Sequence, residues 1–182
     1  MDLIERVKAI VLAPAAEWPV IAHEPGDASF LFGRYVAVLA AIPAVSSFVG
    51  ASLIGRFTPI GRGLVGALAG YVLAFIAVFG VALIVNALAP AFGGRKDLDQ
   101  ALKLAVYSYT PAWLAGLFLL VPGLSFLTIL GLYGLYLLWT GLPVLMQVPR
   151  ERTLPYAIAV VACALVLAIV FGLVQSVVLG LR

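Results

Sequence analysis

The sequence predicts an all-α polytopic membrane bundle, with five transmembrane helices behind an N-terminal interfacial amphipathic helix. Three observations predict it. Five apolar runs are each near or beyond the roughly 20 residues an α-helix needs to cross a hydrocarbon core. The 182-residue chain is 64% hydrophobic and only 10% charged, whereas soluble globular domains are about 25% charged. None of the runs alternates polar with apolar residues as a barrel strand does, so helices must satisfy their backbone groups in lipid. Five spans and short connections use nearly the whole length. The expected organisation is a cytosolic pre-membrane segment, residues 1–34, followed by one five-helix domain, residues 35–182.

The pre-membrane segment opens with a helical pattern. At 100° per residue Leu3, Ile4, Val7, Ile10 and Val11 share one face, while Asp2, Glu5, Arg6 and Lys8 take the other. Such a helix is expected to lie flat on the inner membrane surface. Arg6 and Lys8 flank its apolar arc, where their stems run along lipid and their charges reach headgroups. The alternative is packing of the same face on other cytosolic loops. Pro14 is expected to end the helix and Trp18 to anchor at the interface. Asp2 and Glu5 stand where a cleavable signal would be basic, so the N-terminus is read as retained.

The spans follow at residues 35–54, 64–89, 102–120, 124–146 and 155–179, with Val121-Pro122-Gly123 as a tight turn between the third and fourth. Basic residues in short loops favour the cytoplasm. Arg6, Lys8, Arg34, Arg95, Lys96, Lys103, Arg150 and Arg152 fall on one side, and Arg56, Arg62 and Arg182 on the other, so eight face three among the 11. The N-terminus is expected inside and the C-terminus outside, with all eight acidic residues, Asp27 among them, on the inner side.

Polar residues inside the spans are few. Tyr107-Ser108-Tyr109-Thr110 places four hydroxyls before Pro111, which removes a backbone donor and frees the carbonyl of Tyr107. A kink sealed by local hydroxyls is the simpler reading. The functional alternative joins these four with Asn86, Thr140 and Gln147 in one intramembrane polar cluster lining an inward-facing cavity. Pro43 and Pro143 repeat the kink in the first and fourth spans, and three bent helices would leave a vestibule. Gly66 and Gly70 form a G-x-x-x-G pair for close helix packing, within the chain or between copies. Gly131 and Gly134 have the same two readings.

Enzyme chemistry finds little purchase. His23 is the only histidine and lacks companion metal ligands, and Cys163 is the only cysteine, which excludes a disulfide framework and a cysteine zinc site. No paired Asp, Ser with His, or His/Glu metal motif lies at membrane depth. No cofactor is expected, and nucleic-acid binding is not either, since no basic block of that type appears and the Lys and Arg residues sit in loops between apolar runs.

Several segments together resemble the Yip1 domain family, in its small bacterial branch. Pro14-Ala15-Ala16-Glu17-Trp18, followed by Glu24-Pro25, is similar to the P-x-x-x-W segment of bacterial members. The run from Ala105 to Pro111, and Tyr136 through Gly141, are similar to further family positions. The resemblance implies an integral inner-membrane protein with a cytosolic N-terminal segment and five spans. The acidic D-L-Y-G-P-type motif of eukaryotic members is missing, so Rab binding and Golgi traffic are not implied.

The expected role is a non-enzymatic membrane scaffold or adaptor, with Arg95, Lys96, Asp97 and Asp99 as the exposed patch for a protein partner on the cytoplasmic face. Membrane lipids are the other expected partner, and self-association stays open. The rivals are a small oligomeric transporter or channel, and a lipid-handling protein in which Arg34, Lys103 and Arg150 hold an anionic headgroup.

Overall fold

The computed structural model describes residues 2–26 and 28–178, and these form helices and short connections without a strand. Leu179 and Arg182, which bear on the predicted last span and on orientation, and Asp27 lie outside the described residues. In chain order the helices are α1 (Leu3–Leu12), α2 (Pro14–His23), α3 (Ala28–Ile54), α4 (Ile60–Phe92), α5 (Leu98–Ser108), α6 (Thr110–Ala115), α7 (Pro122–Leu145) and α8 (Arg150–Val178).

Local chemistry sets several boundaries. Asp2 and Glu5 cap α1 reciprocally, the Asp2 N–H donating to Glu5 Oε2 at 3.4 Å. Pro14 does end α1, but it also occupies the first turn of α2, where a missing N–H costs nothing. A second helix, not a loop, therefore follows. α4 stops where Gly93 adopts a φ of 76°, letting the Gly94 N–H reach the Ala89 carbonyl at 2.8 Å. Asp97 caps α5 by accepting from the Gln100 N–H at 3.2 Å, which starts that helix four residues before the predicted span.

Four helices among the described residues are long and apolar enough to cross a membrane: α3 with 27 residues, α4 with 33, α7 with 24 and α8 with 28 to Val177. The predicted third span, residues 102–120, is instead broken. α5 ends at Ser108, Tyr109 intervenes, and α6 gives way to a tight 3-10 turn over Gly116–Leu120. Pro111 is the physical cause, because it cannot donate to the Tyr107 carbonyl and crowds the preceding turn. The turn at Val121 is where the sequence places it: Val121 is extended, and the Leu124 N–H closes on its carbonyl at 2.8 Å.

Contacts sort the chain into two ends. At the charged end, the Arg95 N–H donates to the Met146 carbonyl at 2.8 Å, and Gly26 abuts Asp99. At the far end, Gly50 meets the Leu119 carbonyl, Gly63 meets Ser52, and Gln175 Nε2 donates to the Gly66 carbonyl at 3.2 Å. The G-x-x-x-G segment thus packs on α8 of the same chain, Gly70 also facing Gln175. Gly131 and Gly134 likewise pack on Ala112 and on the Ser108 carbonyl.

The core lies toward the charged end. Buried apolar residues on α4 begin at Val78, and on α8 they end at Val160. Residues 101–108 of α5 are buried on every side, held among α2, α4 and α7. The far halves of α4 and α8 instead present rows such as Leu68, Val72, Ile76 and Leu165, Ile169, Leu173 outward. Lipid tails are as apolar as these side chains, so nothing drives their burial.

Candidate functional site

Near the charged end the α1–α2 hairpin docks on α5 through buried and half-buried polar groups. Arg6 pairs with both Glu17 and Glu24. Its guanidinium also sits 5.8 Å from the centre of the Tyr107 ring, a cation–π distance. Lys103 is buried as well, and its Nζ donates to the carbonyls of Ile21 at 3.1 Å and Glu24 at 2.5 Å. Gln100 Nε2 donates to the Ala22 carbonyl at 3.0 Å. The Ala22 and Glu24 carbonyls at the C-terminal end of α2 are thereby satisfied from α5, and the Ile21 carbonyl, which also accepts the Glu24 N–H at 3.3 Å, gains a second donor; Lys103 puts a cation at the negative end of the helix dipole.

Two predicted membrane anchors are corrected by this arrangement. Arg6 and Trp18 are buried, and only Lys8 of the three stays exposed. Trp18 donates through Nε1 to Thr140 Oγ1 at 3.1 Å and meets Tyr107 edge-on at 6.4 Å between ring centres. A Cβ on Gly141 would lie 2.8 Å from Trp18 Cε2 and 2.5 Å from Leu104 Cδ1, so only glycine leaves room for the indole.

The predicted seven-residue cluster divides. Tyr107, Thr110 and Thr140 join one network, because Tyr35 shares a 2.9 Å hydrogen bond with Thr110 and its ring meets Tyr107 at 4.9 Å. Ser108 turns away toward α7 and α8, its Oγ without a partner. Tyr109 packs on Trp113 and lines the same side. Asn86 is separate, its Oδ1 also unpartnered. Gln147 stands exposed in the turn after α7 with a φ of 54°. The vestibule expected from the three prolines is filled where Gly116 presses on Pro43 and Gly134 approaches Pro111; Pro143 stays inside α7.

Gln147 belongs to a different site. A cleft of about 260 Å³ opens at the charged end, walled by α2, the α4–α5 connection, α5 and the end of α7. Its polar lining is His23, Arg95, Asp97, Gln100 and Gln147. The bond to Ala22 fixes the Gln100 amide, and its Oε1 is buried with no partner. Of the predicted contact patch, Arg95, Lys96 and Asp99 are exposed, while Asp97 is occupied in capping α5. Arg34 and Arg150 are exposed, and Lys103 is committed to α2, so these three do not form a headgroup pocket. No group of three His, Cys, Asp or Glu side chains among the described residues could hold a metal ion.

Sequence reasoning missed Glu17, Glu24, Gln100 and Tyr156 as organisers. Tyr156 stacks on Phe92 at 4.9 Å and donates to the Val85 carbonyl, tying the base of α8 to α4. The one available signal was Glu17, a carboxylate in an otherwise apolar stretch beside Trp18.

The segments 14–18, 105–111 and 136–141 therefore meet around one indole ring, although they lie far apart in the sequence. The family model described as Yip1 domain matches residues 8–171. The chain belongs to the Yip1 domain family. In this chain the segment 14–18 docks the N-terminal hairpin through Trp18. Two relatives carry the name inner membrane protein YohC, from Escherichia coli strain K12 and from strain O6:H1. Each is 29% identical over 177 aligned positions, covering 88% of this chain and 89% of the relative. No solved structure matches the chain. Family membership and the four long apolar helices make it an integral, multi-pass membrane protein.

Proposed function

We propose that this protein is a non-enzymatic scaffold or adaptor of a bacterial inner membrane, whose charged end faces the cytoplasm and holds a segment of a soluble partner. The observation that carries the reading is the cleft at that end. Four separate parts of the chain build it, and its lining includes Gln100, whose buried amide oxygen has no hydrogen-bond partner among the described residues. An acceptor there, a guanidinium on Arg95 and an imidazole on His23 suit the backbone and side chains of a peptide better than they suit lipid.

Orientation and crossing number belong to the same proposal. The sequence count of eight basic residues against three supports a cytoplasmic position for the charged end. α5 and α6 together act as the fifth crossing, broken at Tyr109, since the chain enters beside Asp99 and reaches Gly50 at the far end. The membrane named for the E. coli relatives supports an inner-membrane setting. A scaffold is supported by what the buried polar groups around Arg6 and Lys103 do: they close helix ends and pair with one another.

The test is mild cross-linking in cells, extraction in native lipid particles and identification of what stays bound. A stoichiometric protein that disappears when Arg95, Lys96 and Asp99 are neutralised, with Asp97 kept as a cap, supports the adaptor. Recovery of self-copies alone counts against it.

A further inference from the structure

The N-terminal hairpin stands alongside α7, and three contacts give its register. Close to the charged end, Ala22 and His23 line the cleft with Leu145 and Gln147. Farther along, Trp18 Nε1 donates to Thr140 Oγ1. Farthest from that end, the Tyr133 hydroxyl donates to the Val11 carbonyl at 2.9 Å. α2 therefore runs antiparallel to α7, and the turn between α1 and α2 points along the apolar length of the bundle. The same helix marks where the membrane begins. Tyr133, Tyr136 and Trp139 form an exposed aromatic row with ring centres 5.4 and 6.1 Å apart, and among the described residues no large apolar side chain of α7 is exposed beyond Trp139. Aromatic rings favour the headgroup level, so Trp139 ends the apolar belt, and at 1.5 Å per residue Tyr133 stands about 9 Å inside it.

The chain at that depth is made for lipid. Residues 9–16 carry no polar side chain. Leu12 is 80% exposed, the highest value for a large apolar side chain among the described residues, and Ala13, Ala15 and Ala16 are exposed around it. A turn that faces water ordinarily carries Gly, Asn, Asp or Ser. The backbone is provided for as well. Pro14 has no N–H, the Ala13 N–H donates to the Ala9 carbonyl at 2.9 Å, the Ala16 N–H donates to the Ala13 carbonyl at 3.1 Å, and the Val11 carbonyl takes the Tyr133 hydroxyl. Hydrocarbon offers backbone groups no partner, so a turn closed in this way suits it. Charge resumes one turn nearer the charged end, where Lys8 is exposed on the same row as Leu12 and Glu17 pairs with Arg6.

We propose that the turn between α1 and α2 is inserted into the adjacent leaflet, with Leu12 among the acyl chains and Lys8 reaching the headgroups by its long stem. The reading does not rest on the adaptor proposal, and it holds whichever face of the membrane the charged end occupies. An interfacial amphipathic helix lies in the membrane plane at one depth. This hairpin is instead held upright against α5 and α7 by the Arg6 ion cluster and by Trp18, so it enters the leaflet tip first. A soluble partner cannot cover Leu12 without passing Trp139 into the apolar belt. A second copy covering the tip is the remaining rival, and the experiment separates it from lipid.

The full chain with Cys163→Ala, which removes the only cysteine, carries a single nitroxide on Leu12→Cys and is reconstituted in vesicles of phosphatidylethanolamine and phosphatidylglycerol. Collisions with oxygen, which concentrates in hydrocarbon, and with a water-soluble nickel chelate report the depth of the label. Lys96→Cys, exposed at the charged end, and Ile76→Cys, exposed midway along α4, supply the aqueous and hydrocarbon references. The Leu12 label is expected about 5–10 Å below the phosphates, open to oxygen and closed to the chelate, with an Ile4→Cys label two turns nearer the charged end shallower. Leu12→Asp should shift a label on Ala16→Cys toward water, because a carboxylate at that depth is costly. A Leu12 label as open to the chelate as the Lys96 label overturns the proposal. So does a label shielded from both collision partners, which means that protein covers the tip, and so does an Ala16 label that Leu12→Asp leaves in place.

Discussion

Arg6 is the residue on which docking of the N-terminal hairpin turns, and its removal has a size that can be worked out. The side chains of Arg6 and Glu17 are only 7% and 10% exposed, whereas Glu24 is 38% exposed. Arg6→Ala leaves the Glu17 carboxylate buried without a counter-ion, a change worth about 3–5 kcal/mol when one partner of a buried pair is lost. Glu24 can turn to water, and its pairing adds only about 0–1 kcal/mol. The contact with Tyr107 adds about 0.5–1 kcal/mol. A loss of about 3–5 kcal/mol should appear locally, as opening of α1 and α2 from α5. Amide hydrogen exchange of α2 in detergent should then accelerate by at least about a hundredfold, while exchange in α4 changes far less. Replacing both partners, Arg6→Met with Glu17→Leu, should recover much of the protection, because no orphaned charge remains. If Arg6→Ala leaves α2 exchange within about threefold of wild type, or if the double variant is worse than either single one, the ion cluster does not hold the hairpin.

Three further outcomes follow from the same packing. Gly141→Val should drive Trp18 from its site and lower stability by about 1–3 kcal/mol, seen as a red-shifted tryptophan emission together with a lower melting temperature. Thr140→Val keeps the volume but leaves the buried indole N–H without an acceptor, so a loss of about 1–3 kcal/mol is expected in denaturant unfolding, and Val should be worse than Ser. Ser108→Ala and Asn86→Leu each remove a side-chain oxygen that has no partner, so neither should lower the melting temperature by more than a degree or two.

The long apolar helices were legible because a bilayer demands runs of that length, whatever the tertiary structure. The broken third segment was legible only in part. Pro111 announced the break, but the start of α5 depended on an Asp97 cap that hydropathy does not register. Arg6 was misread for a specific reason: an amphipathic helix has the same pattern whether its apolar face meets lipid or protein. What decides here is Glu17, 11 residues beyond Arg6, and Glu24, 18 beyond, neither on the periodicity of α1. The seven-residue polar cluster failed on geometry. Consecutive residues on a helix point about 100° apart, so Tyr107, Ser108 and Tyr109 cannot all face one cavity. Tyr107 and Thr110 are three apart and share a side, and they are the pair that Tyr35 joins.

The adaptor reading rests on a partner that sits at the charged end and nowhere else. The most direct measurement places a photo-cross-linking amino acid at Arg95, in the cleft wall, and separately at Arg62, exposed in the first turn of α4 at the opposite end, in living cells. The account predicts one discrete protein adduct from position 95, none of the same mass from position 62, and loss of the adduct when Gln100→Leu removes the unsatisfied amide oxygen. The same adduct from both positions, or none from position 95 at any expression level, would contradict it.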